Sequence, residues 1–159
     1  MATLIVYISK YGSTEKCAQL LADKLVGDVE LCNLRRTKQV DLALYDKVIV
    51  GGSIYMGRIQ KAVKAFCEHH GKELIQKKLG LFICCMRDGD VAETELMTSF
   101  EPELLEHAIT SDYFGGEFQM SKMNFIDRFI VKKVSKVESD TSSLRLDQIH
   151  QFAEILNAY

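Results

Sequence analysis

Three short segments carry residues whose types and spacing point to ligand chemistry. The first is Ser9-Lys10-Tyr11-Gly12-Ser13-Thr14. A phosphate monoester needs several donors converging on one point. Hydroxyls at Ser9, Ser13 and Thr14 supply some, and the unpaired amides of a following first helical turn supply the rest. A helix end adds roughly half a unit of positive charge, and Gly12 lets the backbone approach closely. The same residue types make an ordinary helix cap, so this segment argues for phosphate only in company.

Two further segments provide that company. Gly51-Gly52-Ser53-Ile54-Tyr55-Met56-Gly57-Arg58 begins with glycines that permit a tight wrap beside a flat ring, and Tyr55 or Met56 can cover the ring face. Gly57 tolerates either sign of φ, so its peptide can turn over to serve a ring nitrogen. The third segment, Cys84-Cys85-Met86-Arg87-Asp88-Gly89-Asp90, offers backbone donors and acceptors to a ring edge. Taken singly, each also reads as a plain glycine-rich or polar loop. The contact set expected from Gly52 to Arg58 and from Cys85 to Asp88 therefore depends on what brings these loops together.

Rival phosphate motifs fail on inspection. A dinucleotide fingerprint needs three spaced glycines, and a P-loop needs Gly-Lys-Ser/Thr, whereas Lys10 precedes the only glycine of its loop. No cysteine is followed by the five residues and arginine of a phosphatase loop. A phosphoacceptor receiver would carry acidic residues where Ser9-Lys10 and Gly51-Gly52-Ser53 stand.

The elements that must position these loops are legible from periodicity. Thr3 to Ile8 is a continuous β-branched run, as in a strand buried on both faces. Val29 to Leu34 is a more polar strand suited to a sheet edge; Lys47 to Gly51, Leu79 to Cys85 and Asp112 to Phe118 complete five. Helical spacing joins Cys17, Leu20, Leu21 and Leu25, with Gly27 as a stop. It recurs at Ala62, Val63, Phe66 and Cys67 up to Gly71, then near Leu104 and Leu105, and finally from Leu146 to Leu156. Pro102 marks a helix start. Alternating strands and helices imply a parallel sheet covered on both faces, in the doubly wound order 2-1-3-4-5, over one domain spanning residues 1–159. In that topology the three loops leave the carboxyl ends of strands one, three and four, at one rim.

Bulk properties narrow the function. With 47% apolar and 26% charged residues and a net charge of −2, the chain is an ordinary globular protein. It lacks the clustered positive charge of a nucleic-acid binder. The five cysteines (Cys17, Cys32, Cys67, Cys84, Cys85) lie in apolar patterns without zinc spacing, which reads as reduced, buried thiols of a cytoplasmic protein without a metal site. Neighbours on a strand point to opposite faces, so Cys84 and Cys85 do not form a pair. No apolar run approaches the length of a membrane span. Met123 to Val137 stands apart: Phe125, Ile126, Phe129, Ile130, Val134 and Val137 recur at helical spacing beside Lys122, Arg128, Lys132, Lys133 and Lys136. Such a helix packs its apolar stripe on the domain, or makes a peripheral contact with a membrane or partner.

Ser-Lys-Tyr-Gly-Ser-Thr after strand one, with Gly-x-Ser-x-x-x-Gly after strand three, resembles the flavodoxin family. The form Gly51 to Gly57, together with Asp127 to Lys133 and Asp140-Thr141, is most similar to its protoporphyrinogen oxidase group. The resemblance implies a flavodoxin-like three-layer α/β sandwich that binds FMN through the three loops. FMN would carry the redox step, so no side chain is assigned a catalytic role, and His69, His70, His107 and His150 fall on helices away from the rim. It implies electron transfer with a redox partner protein or a quinone. The alternative is an FMN-dependent protoporphyrinogen or quinone oxidoreductase. A third reading keeps the fold as a non-redox module for a phosphorylated ligand. Arg58 and Arg87, in flavin loops, would favour the reduced flavin and raise its potential.

Overall fold

The computed structural model describes residues 2–9, 12–37, 39–118, 141–142 and 144–159. Strands β1 (Ala2–Tyr7), β2 (Asp28–Asn33), β3 (Lys47–Tyr55), β5 (Lys78–Cys84) and β6 (Thr110–Tyr113) pair in parallel in the order β2-β1-β3-β5-β6. This is the expected doubly wound order. The sheet has six strands, because β3 runs past Gly51 to Tyr55 and turns back as β4 (Arg58–Ile59), an antiparallel partner. The more polar β2 lies at an edge, where only one side of its ladder is used.

Register explains why the loops meet. Tyr7, Gly51 and Phe82 stand in one row across β1, β3 and β5. The residues that follow them therefore emerge at the same rim. Gly51 is required by packing: a Cβ there would lie 2.1 Å from Cζ of Phe82. That ring stacks on Phe114, with centroids 4.8 Å apart, and Phe152 meets Phe114 edge-on.

Period-two alternation splits the strand residues between two cores. On one face Ile5, Tyr7, Ile49, Phe82 and Cys84 pack under α1 (Ser13–Lys24) and α5 (Leu146–Asn157). On the other, Leu4, Val6, Val50, Leu81 and Cys85 pack under α2 (Lys61–Leu74), α3 (Gly89–Ser99) and α4 (Pro102–His107). Cys84 and Cys85 do face opposite ways, and all five cysteines are buried free thiols.

Three expectations are corrected. The second helix does not stop at Gly71 but runs to Leu74, whose full burial outweighs the roughly 1 kcal/mol helix cost of a glycine. The stretch after Asp88, read as a polar loop, is α3, anchored by buried Ala92, Leu96 and Ser99. The fifth strand spans Thr110–Tyr113, while Glu117–Phe118 (β7) pairs antiparallel with Thr141–Ser142 (β8). The expected basic helix at 123–137 lies outside the described residues.

Candidate functional site

The first segment is built around Gly12, which caps α1 in the left-handed conformation at φ 90°. Among the described residues no side chain caps this helix, and its first internal bond is Lys16 N–H to the Gly12 carbonyl. The amides of Ser13, Thr14 and Glu15 therefore open outward without intrahelical partners. Ser9 Oγ accepts the Gly12 amide at 3.0 Å, which closes the loop and leaves the Ser9 hydroxyl proton to donate. Thr14 is 1% exposed, and its Oγ1 has no hydrogen-bond partner among the described residues. The Cys84 thiol beside it is a weak hydrogen-bonding group. An orphaned hydroxyl of this kind costs about 1–3 kcal/mol unless a ligand meets it. Lys10 and Tyr11 lie outside the described residues.

The second segment is a hairpin. Tyr55 faces Arg58, and the two residues between them, Met56 at φ 52° and Gly57 at φ 78°, both have positive φ. This is the turn that matches strand twist, and a methionine in it is strained. Met56 projects 66% exposed, Tyr55 is half-buried and Arg58 is exposed. Below, Ser53 is engaged: its amide donates to Gln60 Oε1 at 2.9 Å, and its hydroxyl accepts from Gln60 Nε2 at 2.6 Å. No motif in the sequence marks Gln60 for this role. A Cβ on Gly52 would come within 2.8 Å of that same Oε1, so the glycine admits the clamp. Ile54 packs partly buried against the core, which leaves the hairpin tip as the accessible part.

The third segment leaves β5 beside the second, since Ser53 is the register neighbour of Cys84. The Cys85 amide is taken by the Gly115 carbonyl at 2.9 Å, and its thiol donates to the Arg87 carbonyl at 3.4 Å. The amides of Met86, Arg87 and Asp88 donate no hydrogen bond among the described residues. Burial pushes the Cys85 thiol up to about 11, and it stays protonated and inert. Gly116 packs on this loop, where an added Cβ would touch Met86 Sδ at 3.0 Å.

The rim is basic. Arg35, Arg36, Arg58 and Arg87 are exposed, and none forms an ion pair with a carboxylate among the described residues. Among the described arginines only Arg145, farther along, is paired, with Asp112 at 3.4 Å and its guanidinium 4.0 Å over the Tyr113 ring. Beneath the first loop, Tyr7 donates to Glu15 at 3.1 Å. Burial, then the Glu15 bond and charge, push the phenol up to about 12, against the pull of Arg36. Among the histidines, His70 pairs with Glu73, His150 with Glu154, and His107 contacts the Lys77 carbonyl.

Residues 4–144 match the flavodoxin domain family. The chain belongs to that family. It is 22% identical over 158 residues to the quinone-type protoporphyrinogen IX dehydrogenase of Escherichia coli K12, an alignment covering 94% of this chain and 87% of that one. Among solved structures it resembles oxidised flavodoxin 2 of Bacillus cereus, with 19% identity, TM-score 0.65, and 98% and 97% of the two chains covered. It also resembles the rubredoxin oxygen:oxidoreductase of Desulfovibrio gigas, at 17% identity and TM-score 0.57, but spans only 35% of that longer chain. No helix among the described residues is long and apolar enough to cross a membrane.

Proposed function

We propose that the three loops at the carboxyl rim of the sheet hold FMN, and that the protein transfers electrons through it. Membership of the flavodoxin family and the shared fold support an FMN-binding redox protein. The observation that carries the assignment of the loops is the buried, unpartnered Thr14 hydroxyl beside three open helix amides. A phosphate there would receive Ser13, Thr14 and the helix-end amides. Tyr55 and Met56 would flank the ring, and the amides of Met86 to Asp88 would meet its edge. When bound, FMN supplies the redox chemistry. The chain contributes binding, orientation and a positive field from Arg58 and Arg87.

A purified protein loaded with FMN should show a flavin absorption spectrum and one tight equivalent by fluorescence quenching. A colourless protein that takes up no added FMN would sink this reading.

The E. coli relative supports a second reading, in which the same rim serves an FMN-dependent oxidoreductase acting on protoporphyrinogen or a quinone. Anaerobic assays with protoporphyrinogen and a quinone separate it from a carrier: turnover supports the enzyme, and flavin reduction only by a protein donor supports the carrier.

A further inference from the structure

The turn after β2 reaches the phosphate loop. Leu34, buried beside the core, donates its amide to the Tyr7 carbonyl at 2.8 Å and ties the end of β2 to the end of β1. Asn33 then fixes the next residues: its side chain accepts the Arg35 amide at 3.1 Å, and its carbonyl accepts the amides of Arg36 and Thr37. From this held turn, Arg35 Nη1 donates to the Ser9 carbonyl at 3.2 Å.

One guanidinium proton is so engaged, out of five. No carboxylate among the described residues pairs with Arg35. The only acid in the first turn of α1 is Glu15, whose carboxylate accepts from Tyr7 and opposes an anion at the helix end. A phosphate monoester brings about −1.5 to −2 of charge. It would sit over a loop whose own helix charge is partly cancelled by Glu15.

We propose that Arg35 is a positioning and specificity residue of the cofactor site: it pins Ser9 and supplies the positive charge that makes the site prefer a phosphorylated flavin. The inference rests on the FMN reading. With the Arg35 backbone held by Asn33 and its side chain bonded once to the loop, the guanidinium keeps its charge beside the phosphate loop at little entropic cost. Lysine at this position would keep the charge but lose the planar fork.

The test compares FMN with riboflavin, which lacks the phosphate, by fluorescence quenching on wild type, Arg35→Gln and Arg35→Lys. Arg35→Gln should lower the FMN-over-riboflavin preference about tenfold, the size of one charge-assisted contact, and should flatten its dependence on salt. Arg35→Lys should lose less than about threefold, because the charge remains. Riboflavin affinity should barely move in either. Equal weakening of both flavins by Arg35→Gln would make Arg35 a scaffold residue and overturn the proposal, as would an unchanged preference. Should Arg35→Gln fail to fold, a tenfold loss in Arg35→Lys also overturns the charge role. Wild-type protein that binds neither flavin defeats the FMN reading itself.

Discussion

The two rims of the sheet both carry basic side chains, and they treat them in opposite ways. At the amino rim, Lys47 is buried and donates to the Leu156 carbonyl at 2.5 Å, capping the end of α5. Lys77 donates to the Tyr45 carbonyl at 2.7 Å, and Lys78 to the Tyr159 carbonyl. Each charge there meets the backbone of the protein itself. At the carboxyl rim, the side chains of Arg36, Arg58 and Arg87 make no hydrogen bond or ion pair among the described residues, Arg35 spends one of its five donors on the Ser9 carbonyl, and the buried Thr14 hydroxyl has no partner there. The difference separates groups that complete the fold from groups that wait for something else.

The largest expected effect breaks the scaffold the rims share. Gly51→Val drives a branched side chain into Phe82, and should cost about 3 kcal/mol, or roughly 6–12 °C in Tm. If chemical denaturation leaves the midpoint unchanged, the central packing is misplaced.

The next sharpens the contrast. Thr14→Val removes the orphaned hydroxyl at almost constant shape. FMN binding should weaken by about 1.5–3 kcal/mol, while folding stability holds or rises. A mutant that loses stability without losing FMN would show the hydroxyl to be structural.

At the amino rim the signature is pH dependence. Burial, then the charge of Lys78, lower the Lys47 pKa. The folded state thus binds fewer protons than the unfolded state between that lowered value and the ordinary lysine value. Stability contributed by this group rises with pH across that window. Lys47→Met should remove this rise in urea titrations carried up to the ordinary lysine value of about pH 10.5, whereas Arg58→Gln at the other rim should leave it intact. Equal slopes in wild type and Lys47→Met would dissolve the contrast.

The smallest effect concerns the hairpin. Met56→Gly should relieve the left-handed strain and stabilise the fold by up to about 1 kcal/mol. A fall in Tm would mean that Met56 contributes packing that outweighs its strain.

Much of this molecule is legible in its amino-acid pattern. The β-branched runs give the strands, and the alternation of strand and helix gives their order. The order alone puts Ser9–Thr14, Gly52–Arg58 and Cys85–Asp88 at one rim. The misses have physical reasons. α3 buries only Ala92, Leu96 and Ser99, too few to stand out among Asp90, Glu93 and Glu95. The β3–β4 hairpin turns on Met56-Gly57, which lacks the usual asparagine or aspartate before glycine. Arg35 lies 26 residues from the carbonyl it holds, and nothing in its local pattern marks it.

The sequence by itself determined the layers, the strand order and the rim where the three loops emerge, because these follow from periodicities of about two and 3.6 residues. Only the tertiary structure decided which polar groups at that rim are spoken for. It committed Ser53 to Gln60 and the Cys85 amide to Gly115, left Thr14 unpaired, and brought Arg35 to Ser9. Hydrogen-bond satisfaction depends on partners far apart in the chain, and no local pattern encodes it.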